Sequence, residues 1–190
     1  MLPKIIESGL FETIQFPYNA VERQAEEYLR LASEKDMGVI IMKPLAGGAI
    51  INKNLALRFA FEQDFITSLI PGMDSVQQVR QNASVGEEFI PLNEKERAVL
   101  QEEVEDLGSH FCRRCGYCAP CPVGIDIPTN FLMEGYYTRY NLKEWATERY
   151  NSFDPNAGDC IKCGECESRC PYDLNIISML EEVDYIFSKN

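Results

Sequence analysis

Residues 160–171 read Cys160-Ile161-Lys162-Cys163-Gly164-Glu165-Cys166-Glu167-Ser168-Arg169-Cys170-Pro171. The four cysteines form the second motif and follow the spacing C-x2-C-x2-C-x3-C-P, in which three close thiolates hold three corners of one [4Fe-4S] cluster. The fourth cysteine of such a run ligates another cluster. Gly164 leaves space for backbone N–H groups to turn toward the sulfurs and stabilise their negative charge. This segment therefore predicts an iron-sulfur site with a second one nearby.

A similar run lies upstream and forms the first motif, Cys112, Cys115, Cys118 and Cys121. Its last interval contains two residues where the bacterial ferredoxin spacing has three, so Cys121 departs from that pattern. If the fourth cysteines are exchanged, one cluster is held by Cys112, Cys115, Cys118 and Cys170. The other cluster is then held by Cys160, Cys163, Cys166 and Cys121. Under this prediction neither motif completes a site alone.

Two other uses of the cysteines are open. Structural zinc sites typically pair two C-x2-C hairpins separated by many residues, and neither motif has that spacing. Disulfides fit an even number of cysteines but are disfavoured in a reducing cytosol. All eight cysteines lie between positions 112 and 170, and the first 111 residues contain none. We therefore favour two [4Fe-4S] clusters in a separate module.

The composition limits the partners of the chain. Its 190 residues carry 30 acidic and 18 basic side chains, for a net charge of −12. Such a charge repels nucleic acid and anionic membranes and suits a soluble protein or a basic partner. No apolar run approaches the roughly 20 residues of a membrane span, and the N-terminal segment carries Glu7 and Glu12. We expect a cytoplasmic protein without a membrane span and with a redox protein as a partner.

The first ninety residues alternate β-rich runs with helical patterns, which is typical of a parallel sheet. Strands are predicted at residues 13–16, 39–42 and 65–70, with helices at about 20–35 and 54–63. Ser75 to Gln78 has the form of a capping box. The rest of the chain predicts a mainly helical module, with helices at 94–107, 131–140 and 143–150 and a C-terminal amphipathic helix that includes Leu180 and Phe187. The domain boundary is placed near residue 92.

Three segments of the first part are distinctive: Gln15 to Asn19 (QFPYN), Gly38 to Gly48 (GVIIMKPLAGG), and Ile70 to Met73 (IPGM), which continues to Asn82. Followed by CRRCGYCAPCPVGIDIP and CIKCGECESRCP, they resemble the C-terminal half of the aldo/keto reductases that carry a ferredoxin domain, a group of iron-sulfur oxidoreductases. That family folds as a (β/α)8 TIM barrel with a nicotinamide cofactor at the C-terminal ends of its strands. The resemblance implies an α/β fold: a partial TIM barrel of about three βα units, strands 6 to 8, in residues 1–92, followed by a dicluster ferredoxin-like domain in residues 93–190.

The resemblance also implies contacts with NADP or NAD. Gln15 would meet the carboxamide, and Met42 would lie against the nicotinamide ring. Residues near the pyrophosphate would be Lys43, Leu45 and Gly47, and those around the adenosine end would be Gly72, Met73, Gln78, Gln81 and Asn82. Many members have an aromatic ring at the position of Met42 and a lysine for the 2′-phosphate at the position of Gly72. The choice between NADP and NAD therefore stays open.

The family's catalytic Asp, Tyr, Lys and His come from the first half of its barrel. The only histidine, His110, matches none of them, and Lys43 is on a different strand from the catalytic lysine. We expect no catalytic residue in this chain and a missing N-terminal barrel half, supplied by the same gene or by a separate subunit. Two functions follow. The chain is part of a nicotinamide-dependent carbonyl reductase whose clusters pass electrons, or it is a dicluster electron-transfer or docking subunit; purely structural clusters are a third reading.

Overall fold

The structure is a computed structural model in which residues 1–189 are described. The chain is an α/β protein, about half helical, and it divides into two compact units, Met1–Leu107 and Gly108–Asn190. No described helix has the length and apolar character that a membrane crossing requires.

The first unit is built on a parallel sheet of three strands. The strands are β1 (Thr13–Pro17), β2 (Gly38–Met42) and β3 (Ser68–Ile70), in the order β1-β2-β3. Val39 and Ile41 of the central strand are fully buried, as expected for a strand covered on both faces. The predicted parallel sheet is therefore confirmed, whereas its membership of a TIM barrel stays a prediction.

Five helices accompany this sheet: α1 (Leu2–Glu7), α2 (Glu26–Glu34), α3 (Lys53–Phe61), α4 (Val76–Glu87) and α5 (Glu94–Gly108). Helix α2 begins later than the predicted position near residue 20. The side-chain oxygen of Asn19 accepts hydrogen bonds of 2.9 Å from the backbone N–H groups of Val21 and Glu22. This local turn satisfies the backbone in a non-helical conformation, so the helix starts only after it.

Helix α5 belongs to the first unit, although the sequence places the domain boundary near residue 92. Arg58 of α3 forms an ion pair with Glu96 of α5 and donates to the carbonyl oxygens of Ile90 and Pro91. Glu103 of α5 accepts hydrogen bonds from the backbone at the start of α3. These contacts are polar and depend on the folded chain, which is why the charged sequence of α5 did not reveal them.

The second unit is helical, with α6 (Ile127–Thr138), α7 (Lys143–Asn151), α8 (Glu165–Ser168) and α9 (Ile176–Ser188). Its core joins α6, α7 and α9 around Tyr150, whose ring stacks on Phe187 with ring centroids 4.2 Å apart. Two other aromatic residues of the segment between the cysteine motifs, Tyr140 and Trp145, are half-exposed. The predicted helices are present, and α6 begins earlier than the predicted residue 131 because Asp126 caps it.

Candidate metal centre

The loops of the two cysteine motifs have the same backbone conformation. Arg114 and Lys162 lie two residues after the first cysteine of each motif, with φ of 54° and 56°. Gly116 and Gly164 lie two residues further on, with φ of 80° and 79°. A Cβ atom at either glycine would meet no other atom within 4 Å. Glycine is therefore needed at these positions for its left-handed backbone and not because of crowding.

The two motifs also share the same order of cysteine exposure. The first cysteine of each motif is half-buried, the second exposed, the third buried and the fourth half-buried. All eight are free cysteines in the structure. The similarity of the two loops was visible in the sequence as a repeated C-x2-C-G-x-C pattern.

The first cysteine group consists of the first three cysteines of the first motif together with Cys170 of the second motif. Burial raises the pKa of the Cys112 thiol, and the neighbouring thiolates of Cys115 and Cys170 raise it further. The backbone N–H of Arg114 lies 3.4 Å from the Cys112 sulfur and acts in the opposite direction. Burial likewise raises the pKa of Cys118, with contributions from the other three members of the group. Cys170 therefore lies close enough to the first three cysteines of the first motif to interact with Cys112 and Cys118 electrostatically.

The second cysteine group lines one pocket of the second unit and consists of Cys121, Cys160, Cys163 and Cys166. The pocket is partly open to solvent. Burial raises the pKa of Cys166, while its own N–H and that of Glu167 oppose the shift. Apart from the cysteines, the described residues that line this pocket are glycine or apolar: Pro122, Val123, Ile125, Ile127, Ile161, Gly164, Ile177 and Leu180.

Each group offers four soft thiolates, which are the ligands of iron-sulfur clusters. Among residues 1–189, no three Cys, His, Asp or Glu side chains are arranged to hold a single metal ion. A cubane is larger than an ion, so its four ligand sulfurs surround a volume instead of converging on a point. The second group around its pocket fits that requirement.

Comparison with known families decides the nature of this segment. Residues 111–175 match the family model described as a 4Fe-4S dicluster domain, and the match contains all eight cysteines. Residues 111–175 form a 4Fe-4S dicluster domain. No curated protein and no solved structure matches the chain. The domain supports binding of [4Fe-4S] clusters and a role in iron-sulfur electron transfer.

Two arginines join the motifs of the dicluster domain. The guanidinium of Arg113, next to Cys112, lies over the ring of Tyr172 at 4.0 Å from its centroid. Arg169 donates from Nη2 to the carbonyl oxygen of Pro120 at 2.9 Å. Neither Arg169 nor Tyr172 was predicted from the sequence to have a role at the motifs. Their positions in the sequence, one residue before and two residues after Cys170, were the feature that could have pointed to them.

The residues predicted to bind nicotinamide lie in the first unit. The side-chain amide of Gln15 contacts the Met42 sulfur at 3.7 Å, and Met42 pairs in register with Pro17 and Ile70 at the strand ends. Lys43, Leu45 and Gly47 follow β2, Gly72 and Met73 follow β3, and Gln78, Gln81 and Asn82 belong to α4. Gln78 is engaged locally, because its side-chain oxygen accepts from the Asp74 N–H at 2.9 Å. A nicotinamide site here stays a prediction.

Proposed function

We propose that the chain is an electron-transfer protein with two [4Fe-4S] clusters, and that its two motifs exchange their fourth ligands. The first cysteine group, Cys112, Cys115, Cys118 and Cys170, would hold one cluster. The second group, Cys121, Cys160, Cys163 and Cys166, would hold the other.

The main support for this proposal is the position of the fourth cysteine of each motif, which is near the first three cysteines of the other motif. Cys121 lines the same pocket as the first three cysteines of the second motif, although it belongs to the first motif in sequence. Cys170 interacts electrostatically with Cys112 and Cys118. Two independent sites would each use their own fourth cysteine, so this exchange supports a linked pair of clusters.

Each bound cluster would supply one-electron redox chemistry, and the chain's residues would set its environment. Backbone N–H groups donate toward Cys112 and Cys166 and would stabilise charge on those sulfurs. The exposed members of the groups, Cys115 and Cys163, mark the positions at which a redox partner could come closest to each cluster.

Anaerobic reconstitution of the whole chain tests the proposal. We expect a brown protein with broad absorbance near about 400 nm and about eight iron and eight sulfide per chain, as two cubane clusters require. A colourless protein that binds two zinc ions with high affinity would contradict it.

We further propose that residues 1–92, which lie within the first unit, are part of an aldo/keto reductase-type barrel. This barrel would bind NADP or NAD when its missing half is present. The parallel order of β1, β2 and β3 and the contact between Gln15 and Met42 support this reading. Parallel strands bring the loops at their C-terminal ends to one edge, where such sheets bind ligands. The chain itself would lack the catalytic tetrad and would depend on a partner subunit or segment for carbonyl reduction.

Calorimetric titration with NADPH and NADH tests this second proposal. Binding by the whole chain that is lost in the Lys43→Ala, Gly47→Ala double variant would support it. Carbonyl-dependent oxidation of NADPH by the purified chain alone would contradict the absence of catalytic residues. Failure to bind either nucleotide, even with the missing half added, would leave the simple electron carrier as the function.

A further inference from the structure

We propose that the two clusters are bound cooperatively, and that Arg169 is the positioning residue that couples their sites. This inference rests on the proposed function, because it requires both clusters and the exchange of the fourth cysteines. It goes beyond that function in two ways. The chain should keep or lose its clusters as a pair, and the residue that couples them is not a cluster ligand.

The guanidinium of Arg169 binds the backbone of the second cysteine group at two points. Its Nη2 atom donates to the carbonyl oxygen of Pro120 at 2.9 Å, and its Nε atom donates to the carbonyl oxygen of Glu165, also at 2.9 Å. Pro120 directly precedes Cys121, and Glu165 directly precedes Cys166. One guanidinium therefore holds the peptide carbonyls in front of two of the four cysteines of this group.

The main chain of Arg169, in contrast, leads to the first cysteine group, because Arg169 directly precedes Cys170. A separate contact joins the segment after Cys170 to the first motif. The guanidinium of Arg113, which directly follows Cys112, lies over the ring of Tyr172 at 4.0 Å from its centroid. A cluster in the first group would fix Cys170 and, with it, the main chain of Arg169.

The orientation of the Arg169 guanidinium is defined by these bonds. Its donors form a planar fork, so two carbonyl bonds in different directions leave it little freedom. An ion pair of 3.2 Å with the Glu165 carboxylate adds a third contact, and the Arg169 side chain is only 31% exposed. Both motifs also pack against one hydrophobic core, in which Cys118 and Cys166 are buried. A displacement of Arg169 is therefore passed on to the second group.

These contacts make the ordering of one site favour the other. A cluster that binds either group fixes a segment that contacts the other group, so the second cluster binds to a site that is already ordered. The coupling is reciprocal, because linkage requires each cluster to strengthen the other by the same factor. Without Arg169, the exchanged cysteines would connect the two sites through the main chain and the core alone.

Native mass spectrometry of the reconstituted whole chain, under anaerobic conditions, tests the inference. A limiting amount of chelator removes about half of the iron, and chains with two, one and no clusters are then counted. Independent sites would leave at least about half of the chains with a single cluster, whereas coupled sites should give mainly two or none. Arg169→Gln should raise the fraction of single-cluster chains at least about threefold, because it removes the two carbonyl bonds.

Two further variants separate the bonds of Arg169 from its charge and from general effects of substitution. Arg169→Lys keeps the charge but lacks the fork that reaches two carbonyls, and it should resemble Arg169→Gln. Arg149→Gln, at an exposed position of α7, is the matched control and should keep the distribution of the original chain. An Arg169→Lys variant with the original distribution would show that charge is responsible, and would overturn the inference.

The outcomes separate the inference from the proposed function. An original chain that passes mainly through a single-cluster form would overturn the inference and leave the function intact. The same holds for an Arg169→Gln variant that keeps the original distribution, or that merely loses both clusters together because the unit is less stable. A reconstituted chain without two cubane clusters would contradict the proposed function itself.

Discussion

The Nη2 atom of Arg169 donates a 2.9 Å hydrogen bond to the carbonyl oxygen of Pro120. Arg169 directly precedes Cys170, and Pro120 directly precedes Cys121. The bond thus joins the residues that directly precede the fourth cysteines of the two motifs. Arg169 also donates from Nε to the carbonyl oxygen of Glu165, which fixes the orientation of the guanidinium.

Arg169→Gln should loosen the cluster that depends on Cys121. Loss of a hydrogen bond from a charged donor costs about 1.5–3 kcal/mol, less at a part-exposed site such as this one. We expect faster release of about half of the cluster iron to a chelator under anaerobic conditions. Arg149→Gln, at an exposed position of α7, is the matched control. Equal release rates for the two variants would show that Arg169 does not position Cys121.

Gly116→Ala and Gly164→Ala should each destabilise the dicluster domain. Both glycines have left-handed φ, which costs a residue with a Cβ roughly 1–2 kcal/mol. The expected readout is a lower temperature for loss of the cluster absorbance. Gly108→Ala serves as the control, because a Cβ there also meets no atom within 4 Å and its φ is not positive. A control variant as unstable as the other two would contradict the backbone argument.

Arg58→Ala should destabilise the first unit more than Arg30→Ala. The side chain of Arg58 is only 12% exposed and binds Glu96 and two backbone carbonyls, so its removal takes away the hydrogen bonds of all three partners. We expect a larger fall in the free energy of unfolding than for removal of the exposed Arg30–Asp64 pair, which costs less than about 1 kcal/mol. Hydrogen exchange of the backbone amides of α3 and α5 measures the loss of stability in both variants. Equal protection in the two variants would be inconsistent with a buried role for Arg58.

Tyr150 should make the second unit lose stability at alkaline pH. Burial, followed by the nearby Asp184 carboxylate, raises the pKa of Tyr150 from 10.0 to about 12. The folded state therefore retains a proton that the unfolded state releases, so the contribution is fully present below pH 10 and is lost as pH rises toward 12. Thermal unfolding between these pH values should show this fall, and Tyr150→Phe should reduce it. A variant with the same pH dependence as the original chain would contradict the assignment.

The sequence predicted a segment that binds two [4Fe-4S] clusters, and residues 111–175 match a dicluster family model, whereas several predicted helix ends were wrong. The spacing of cysteines is imposed by the cluster, so Cys112, Cys170 and their partners could be recognised without the fold. The exchange of Cys121 and Cys170 between the two clusters also follows from that spacing and stays a prediction. The contact between Arg169 and Pro120 was not, because it joins residues that are distant in sequence and depends on the packing of the two motifs.

The predicted helix boundaries were wrong where a polar side chain forms hydrogen bonds with nearby backbone N–H groups. Asn19 delays the start of α2 through its own turn. The start of α6 was missed, although Asp126 followed by Pro128 is a typical N-terminal signal. At α4 the Ser75 cap is confirmed, since its hydroxyl accepts from the Gln78 N–H. In a complete capping box the Gln78 side chain would accept from the Ser75 N–H. Here it accepts from the Asp74 N–H instead.

The assignment of Cys170 to the first cysteine group is the central claim, and EPR of reduced cysteine-to-serine variants tests it most directly. Cys112→Ser and Cys160→Ser identify the signals of the first and second groups. The account predicts that Cys170→Ser changes the signal altered by Cys112→Ser, and that Cys121→Ser changes the signal altered by Cys160→Ser. If Cys170→Ser instead changes the Cys160→Ser signal and leaves the other intact, each motif holds its own cluster and the exchange is wrong.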